Sequence, residues 1–395
     1  MLTEVTKAKN TGSEQPQSRN IRRERRLWHD GSRNTGSLGC FRCSEKDICG
    51  GLQVARDLFD CLGFCCGDPS DCDSVCRLSP KTFARRVREI DGFPLESVPR
   101  AQLLAPPALP AVVPVIYHGD NRVTPFRAPG VCLPLYKVIR RENGEARYAT
   151  AQELAKGFHI AADALVILSG TAPDKPLERW WSLGADRRER IRELRGLGVA
   201  LITSPNYSLF TDQPRWDDLH SMKRIAITHE EFLREGLPAA LHLNARTERD
   251  WERWTAYVAA RPEITHVAFE FATGAGWAQR TAWHAAQLAG LAEAARRPLH
   301  LVMRGGAKVL PTLAAAFRGI TLLETSVFMK TQSRRRAVAT DRGAMSWQAS
   351  PTKADEPLDS LLMDNWQVVA AAHAMLAAPR ACASELVAGP VQAAG

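Results

Sequence analysis

The densest chemistry in the chain is a run of cysteines. "CFRCSEKDIC" spaces Cys40, Cys43 and Cys49 as C-x2-C-x5-C, and "DCLGFCCGDPSDCDSVC" adds Cys61, Cys65, Cys66, Cys72 and Cys76. Eight of the ten cysteines thus fall within less than a tenth of 395 residues. A C-x2-C pair on a tight turn presents both sulfurs to one tetrahedral ion, and the same soft thiolates hold iron-sulfur clusters. The eight thiols predict two four-thiolate sites, or one site with spares, occupied by zinc or by an iron-sulfur cluster. Their expected task is structural, pinning a loop-rich segment that has little core of its own. The radical SAM triplet C-x3-C-x2-C is absent. The N-terminal stretch "MLTEVTKAKNTGSEQPQSRN" has no apolar secretory region, which points to the cytoplasm, where thiols stay reduced rather than paired. Cys132 and Cys382, on a strand-like and a helix-like stretch, read as core packing.

A second group of candidates sits at the ends of short apolar runs. Asp174 follows "ALVILSG", and Asn206 and Tyr207 open the long polar loop "PNYSLFTDQPRWDDLHSMKR". His242 and Asn244 end "ALHLN", and Glu270 interrupts "VAFEFATG". Arg304, Gly305 and Gly306 end "LHLVMRGG", and Glu324 and Ser326 end "LLETS", with Lys330 close behind. Glu270 and Glu324 each break an apolar strand near its C-terminal end, where desolvation raises a carboxyl pKa unless a cation compensates. A pair of such carboxylates suits general acid/base or nucleophilic work on a glycosidic bond, with Asp174 as the alternate. Gly305 and Gly306 permit close backbone approach, and free N–H groups at a helix start bind anions. With Arg304 they would hold phosphate, while Asn206, Tyr207 and Asn244 orient a base or sugar. The plainer alternatives stand beside these: a carboxylate held in a structural ion pair, Glu270 with Arg304 for instance, and histidines satisfied within a core.

Those residues need elements to carry them. Seven apolar runs ("GVCLPLYKV", "ADALVILSG", "GVALITSPN", "LPAALHLN", "ITHVAFEF", "PLHLVMRGG", "GITLLETS") alternate with helix-like stretches such as "TERDWERWTAYVAARP". Apolar runs without polar alternation are what parallel strands covered on both faces look like. The pattern predicts an α/β fold over residues 128–340, as a TIM-like (β/α) barrel or an open doubly wound sheet. The barrel is preferred: the number of units suits closure, and no Gly-rich dinucleotide fingerprint follows the first strand. Around it the sequence predicts a disordered basic tail (1–38) and a Cys-rich metal-binding module ending in a short helix (39–104). A Pro-rich linker (105–127) and a C-terminal helical extension (341–395) complete the chain. No apolar run approaches the roughly 20 residues needed to span a bilayer.

The formal net charge is +9, concentrated in part in "RNIRRERR" (19–26) and "KTQSRRR" (330–336), which suits a nucleic acid or nucleotide partner. The stretch from "RPLHLVMRGG" to "GITLLETSVFMK" resembles the closing strands of the tRNA-guanine transglycosylase family. That resemblance covers under a tenth of the chain. It implies a barrel, base exchange at an N-glycosidic bond and a polynucleotide substrate, with His300, Gly305, Gly306, Glu324 and Ser326 in the matching places. The family's Asp-Ser-Gly-Gly-Phe base-pocket motif is absent, and its zinc ligands lie late in the chain rather than at the front. The Cys-rich front together with "SPNYSLF" and "EFATG" also resembles an uncharacterised family of bacteria and mobile elements. The sequence therefore predicts an enzyme acting on a nucleic acid or nucleotide-like substrate. The alternative is a non-catalytic, metal-stabilised binding protein of a mobile element or defence system.

The metal module carries its own test. Protein purified without oxygen should contain zinc or iron, and an iron-sulfur cluster would add absorbance near about 400 nm. Metal-free, colourless protein that keeps its fold would remove the module's expected role.

Overall fold

Strand residues alternate in direction, so a sheet buried on both faces needs apolar side chains at every position. Eight short runs of the chain meet that requirement. The computed structural model describes residues 86–209, 215–272, 278–339, 345–353 and 355–377, together with Thr35–Gly36, Phe41 and Gln53–Val54. The eight candidate metal-ligating cysteines and most of the predicted tail lie outside the described residues. Among the described residues, no cluster of His, Cys, Asp and Glu is placed to hold a metal ion. No helix among them is long and apolar enough to cross a membrane.

The strands are β1 (Val112–Pro114), β2 (Gly130–Pro134), β3 (Leu165–Ser169), β4 (Leu201–Thr203), β5 (Ala239–His242), β6 (His266–Glu270), β7 (His300–Arg304) and β8 (Gly319–Glu324). From β2 to β8 each pairs in parallel with the next, and β1 pairs in parallel with β8. The remaining gap between β1 and β2 is spanned by the bridge of Val115 to Cys132, where Ile116 N donates to Cys132 O at 2.8 Å. The sheet is a nearly closed, all-parallel, TIM-like barrel.

Helices separate the strands. They are α1 (Leu135–Val138), α2 (Ala151–Phe158), α3 (Asp174–Ser182), α4 (Arg187–Gly196), α5 (Arg215–Arg234), α6 (Glu248–Ala259), α7 (Ala278–Ala294) and α8 (Leu310–Ala314). After β8 come α9 (Ser326–Gln332), a hairpin of β9 (Arg335–Ala339) and β10 (Met345–Ala349), and α10 (Asp359–Ala377).

Period-two alternation sorts each strand. Val113, Val115, Cys132, Ile167, Leu201, Ala240, Ala268, Val302 and Leu323 form one buried cluster, the barrel interior. Their neighbours, such as Leu133, Leu168 and Ile202 on one side and Leu241, Val267, Leu301 and Leu322 on the other, pack among the helices. Leu109 packs against the interior cluster, and Thr321 Oγ1 donates to Pro110 O at 2.9 Å, covering the N-terminal end.

Two expected boundaries change. Residues 105–127 are not a linker, because they contain β1, the first strand of the barrel. The segment after residue 340 holds the expected helix packed on the outside, but the boundary itself cuts the β9–β10 hairpin. Helix α10 packs on β1, α8, α9 and β9, and the Asn365 side chain ties it to that hairpin, accepting from Ala337 N at 2.7 Å and donating to Arg335 O at 2.8 Å.

The end of the predicted N-terminal module is bound to the barrel's flank as a strap. Ile90, Phe93, Leu95 and Val98 are buried in the same cluster as Trp254 and Tyr257 of α6. Charged side chains of the helices hold its backbone and ends. Arg86 pairs with Asp217 in the first turn of α5, and Glu89 lies 2.6 Å from His220. Lys223 donates to Pro94 O and Ser97 Oγ, and Arg253 donates to Phe93 O at 3.0 Å. Arg261 donates to Val98 O and to Pro99 O at 2.8 Å, while Arg100 grips Glu263 at 2.8 and 2.9 Å. Helix α5 begins at the C-terminal end of β4 and Glu263 precedes β6, so the strap descends from the barrel's mouth to its base.

Arg261 is 5% exposed and also pairs with Glu263 at 3.3 Å. Arg261→Ala leaves the Val98 and Pro99 carbonyls without that donor and Glu263 with Arg100 alone, so it should cost about 2 kcal/mol in urea unfolding and open residues 86–104 to limited proteolysis.

Candidate active site at the mouth of the barrel

In (β/α) barrels the C-terminal strand ends carry the chemistry. Alternation continues the inward set from Ala240 to His242, from Ala268 to Glu270 and from Val302 to Arg304. The β6–β7 register places Glu270 beside Arg304. Arg304 Nε lies 2.6 Å from Glu270 Oε2. The contact is a short, buried ion pair, and neither of the two atoms has a further partner among the described residues. Glu270 Oε1 accepts from Ala272 N at 2.8 Å. Glu270 is 5% exposed. Burial pushes its carboxyl up to about 6 against the opposing pull of Arg304 and the Ala272 N–H.

His242 is buried with Nδ1 unpartnered, and burial, reinforced by Arg304, holds its imidazole down at about 3. It is therefore a neutral side chain at any ordinary pH. Burial likewise raises the Tyr117 phenol, with Arg304 opposing and Cys132 and Glu270 adding. The Cys132 thiol, fully buried, is pushed up to about 12 and is inert as a nucleophile.

Above this layer opens a cleft of about 470 Å³. Tyr117, His118, Phe328 and Met329 form one wall. Arg304 and Lys137 supply its cations, and Ala272, Thr325 and Gln332 complete the lining. A site of this size, mostly apolar with a few convergent polar groups, is typical for a small ligand.

The other candidates are placed elsewhere or already engaged. Glu324 is one residue out of phase with inward-facing Leu323 and reaches the helical jacket. There it lies 3.0 Å from His373 Nε2 on α10 and accepts from Ser326 N at 2.6 Å. Burial pushes that carboxyl up, but the bonds from His373 and Ser326 outweigh it and hold the pKa below its ordinary value. The expected Glu270–Glu324 pair is therefore not assembled, since the two side chains face opposite sides of the sheet. Ser326 serves as a backbone donor to Glu324, and Lys330 on α9 is not among the cleft residues. Asp174 is exposed at the start of α3, where its carboxylate accepts from Ser208 Oγ at 2.6 Å.

Asn244 spends its side-chain amide on Asn206 Oδ1 and Tyr207 O, both at 2.9 Å, and its backbone carbonyl accepts from Trp254 Nε1. Tyr207 is wholly buried under Arg224, whose guanidinium lies 4.0 Å from its ring, and burial raises its phenol. These residues brace the β4 and β5 loops.

Gly305 and Gly306 do not form the expected phosphate cradle. Both have positive φ, of 72° and 73°. A Cβ on Gly305 would lie 2.8 Å from Ala272 N, and one on Gly306 would lie 2.7 Å from the Phe271 ring. The close approach they permit is therefore to the neighbouring β6 loop. The chain continues from them into a 3-10 turn and the five-residue α8. His300 lies at the opposite end of β7, its ring 5.0 Å from that of His266 and its Nε2 2.9 Å from Thr321 Oγ1. It belongs to the barrel's base.

Tyr117, His118, Lys137 and the α9 residues Phe328, Met329 and Gln332 carry no signal of their own in the sequence. Tyr117 and His118 end "PVIYHG", which reads as a strand end once "AVVPVI" is taken as a strand rather than a linker. No protein-family model and no curated protein sequence matches this chain.

The raised carboxyl of Glu270 has a sign that can be measured. A pKa raised on folding stabilises below the unfolded value of 4.5, and that contribution is lost as pH rises through about 6. Glu270→Gln mimics the protonated form at every pH. Relative to wild type, it should gain about 2 kcal/mol in unfolding free energy between pH 4 and pH 8.

Proposed function

We propose that the barrel mouth is an active site in which Glu270 accepts a proton during cleavage or exchange at an N-glycosidic bond of a nucleotide-like or nucleic acid substrate. The observation that carries this reading is the buried Glu270–Arg304 pair at the inward strand ends, a raised carboxyl in contact with a guanidinium that lines the cleft. Arg304 reaches the cleft itself, and Glu270 lies directly behind it at the inward end of the neighbouring strand. Such perturbed pairs concentrate at functional sites.

With a pKa of about 6 the carboxylate is ionised roughly tenfold over its acid at pH 7. It remains more basic than an ordinary glutamate, as general-base work demands. In the hydrolytic form, a water loses its proton to Glu270 as its oxygen bonds to the anomeric carbon. The C–N bond breaks, and the departing base keeps the electron pair and takes a proton from the medium. In the exchange form, the N–H of an incoming base replaces the water. Arg304 keeps Glu270 ionised and offers its remaining donors to an anionic group of the substrate, while neutral His242 beneath them contributes a hydrogen bond without charge. Because Glu324 faces the helices, the reading rests on one carboxylate rather than two. The cysteine run, holding zinc or an iron-sulfur cluster, has a structural part in this proposal.

The test is base release from a panel of nucleosides, nucleotides and oligonucleotides, followed by chromatography. Wild-type kcat/KM should rise with pH through a limb near 6, and Glu270→Gln should lose about 10²–10⁴-fold while unfolding at a temperature no lower than wild type. A folded Glu270→Gln protein with full activity, or folded wild type inert on the whole panel, overturns the catalytic reading and leaves the mouth as a binding site.

A further inference from the structure

We infer that the cleft takes a single phosphorylated nucleoside unit, with its base against Tyr117 and His118 and its phosphate between Lys137 and Arg304. The inference rests on the proposed active site at the barrel mouth and narrows its substrate from nucleic acid or nucleotide to mononucleotide.

The wall is aromatic, with its rings set at angles: Tyr117 is tilted 45° and His118 85° to Phe328. Phe328, 1% exposed, sits behind Tyr117 and His118, with ring centroids at 5.6 and 4.9 Å. Phe328 is itself backed by the buried Arg122, at 5.9 Å. Arg122 donates to the carbonyls of His118, Phe158 and His159 at 2.5–3.0 Å, so the ring layer is fixed from beneath. Tyr117 and His118 remain partly open, and Met329, 52% exposed, extends the apolar surface. A nucleobase has a π-face to stack on one of these rings while meeting the other edge-on. At the edge, Asn121 Nδ2 donates to Gln332 Oε1 at 3.2 Å, which leaves the Gln332 amide hydrogens for a base carbonyl.

The charge is suited to one phosphate. Arg304 is largely balanced by Glu270, and Lys137 is an exposed cation on α1, just past the C-terminal end of β2 at the same cleft. Asp120 lies 3.2 Å from His118 Nδ1 at the ring wall, so among the described residues Lys137 is the cleft cation with no carboxylate beside it. A polynucleotide would instead be tracked by several cations along its backbone. A sugar phosphate lacking a base would leave the ring wall bare.

Binding decides the matter without turnover. Calorimetry on wild type and on Glu270→Gln would compare the four common nucleoside 5′-monophosphates, the nucleosides, ribose 5-phosphate and a ten-nucleotide single strand. A monophosphate should bind at least tenfold tighter than its nucleoside and than ribose 5-phosphate. Lys137→Ala should remove the preference over the nucleoside, Tyr117→Ala should weaken nucleotide and nucleoside alike, and the log–log salt slope should stay near −1. Equal binding of ribose 5-phosphate overturns the base subsite. An unchanged Lys137→Ala protein overturns the phosphate subsite. A single strand binding tenfold tighter than the monophosphate, with a slope steeper than about −3, overturns the single-unit inference in favour of a polymer. Nucleotide binding by a protein that releases no base would leave this inference standing while the catalytic one falls.

Discussion

A side chain on a closed ring of strands has only two destinations, the interior or the helical jacket, and neighbouring residues must take opposite ones. The placement of every strand-end side chain at the mouth follows from that rule. It sends Ala240, Ala268 and Val302 into the interior, so His242, Glu270 and Arg304 follow them two residues later at the mouth. It sends Leu323 inward, so Glu324 goes out to His373. The small Ala240 and Ala268 side chains beneath the mouth help a buried polar layer to fit there. The helices and the strap hold the ring in place.

Glu270 and Glu324 show how burial separates two like residues. Both end apolar strands and both are largely removed from water. Glu324 is met by the His373 imidazole and the Ser326 N–H, which hold it ionised and fully engaged. Glu270 receives the Ala272 N–H on one oxygen, and on the other a guanidinium that approaches closely. The first arrangement completes a structure. The second sets a raised carboxyl against a guanidinium that borders the cleft.

Most of the fold is legible in the sequence, for a physical reason. Parallel strands buried on both faces must be apolar throughout, and seven such runs stand out between amphipathic helices. The eighth, β1, reads as a linker because Pro106, Pro107, Pro110 and Pro114 surround Val112 and Val113. Proline is tolerated there because those residues lie at the strand's ends and in the approach to it. Continuous apolarity hides direction as well as revealing burial. "GITLLE" offers no polar alternation to show which parity faces inward, so Glu324 could not be told from Glu270. The glycine pair misleads similarly. Its positive φ is real, but the surface it lets in is Phe271 and Ala272 rather than a ligand. Tyr117, Lys137 and Gln332 come together only because three distant parts of the chain share one rim, and no local spacing encodes that.

The pairing of Val112 with Leu322 has a temporal side. The strand that closes the ring at one edge leaves the ribosome some 210 residues before its partner does. At ordinary elongation rates β1 then waits roughly 10–40 s with one hydrogen-bonding edge unmet. During that interval its only sheet neighbour is β2, through the thin Val115–Cys132 bridge. Prolines along an otherwise sticky segment discourage pairing with foreign strands. The feature that disguises β1 as a linker is thus also a safeguard during synthesis, keeping the first strand unclaimed until the last one arrives.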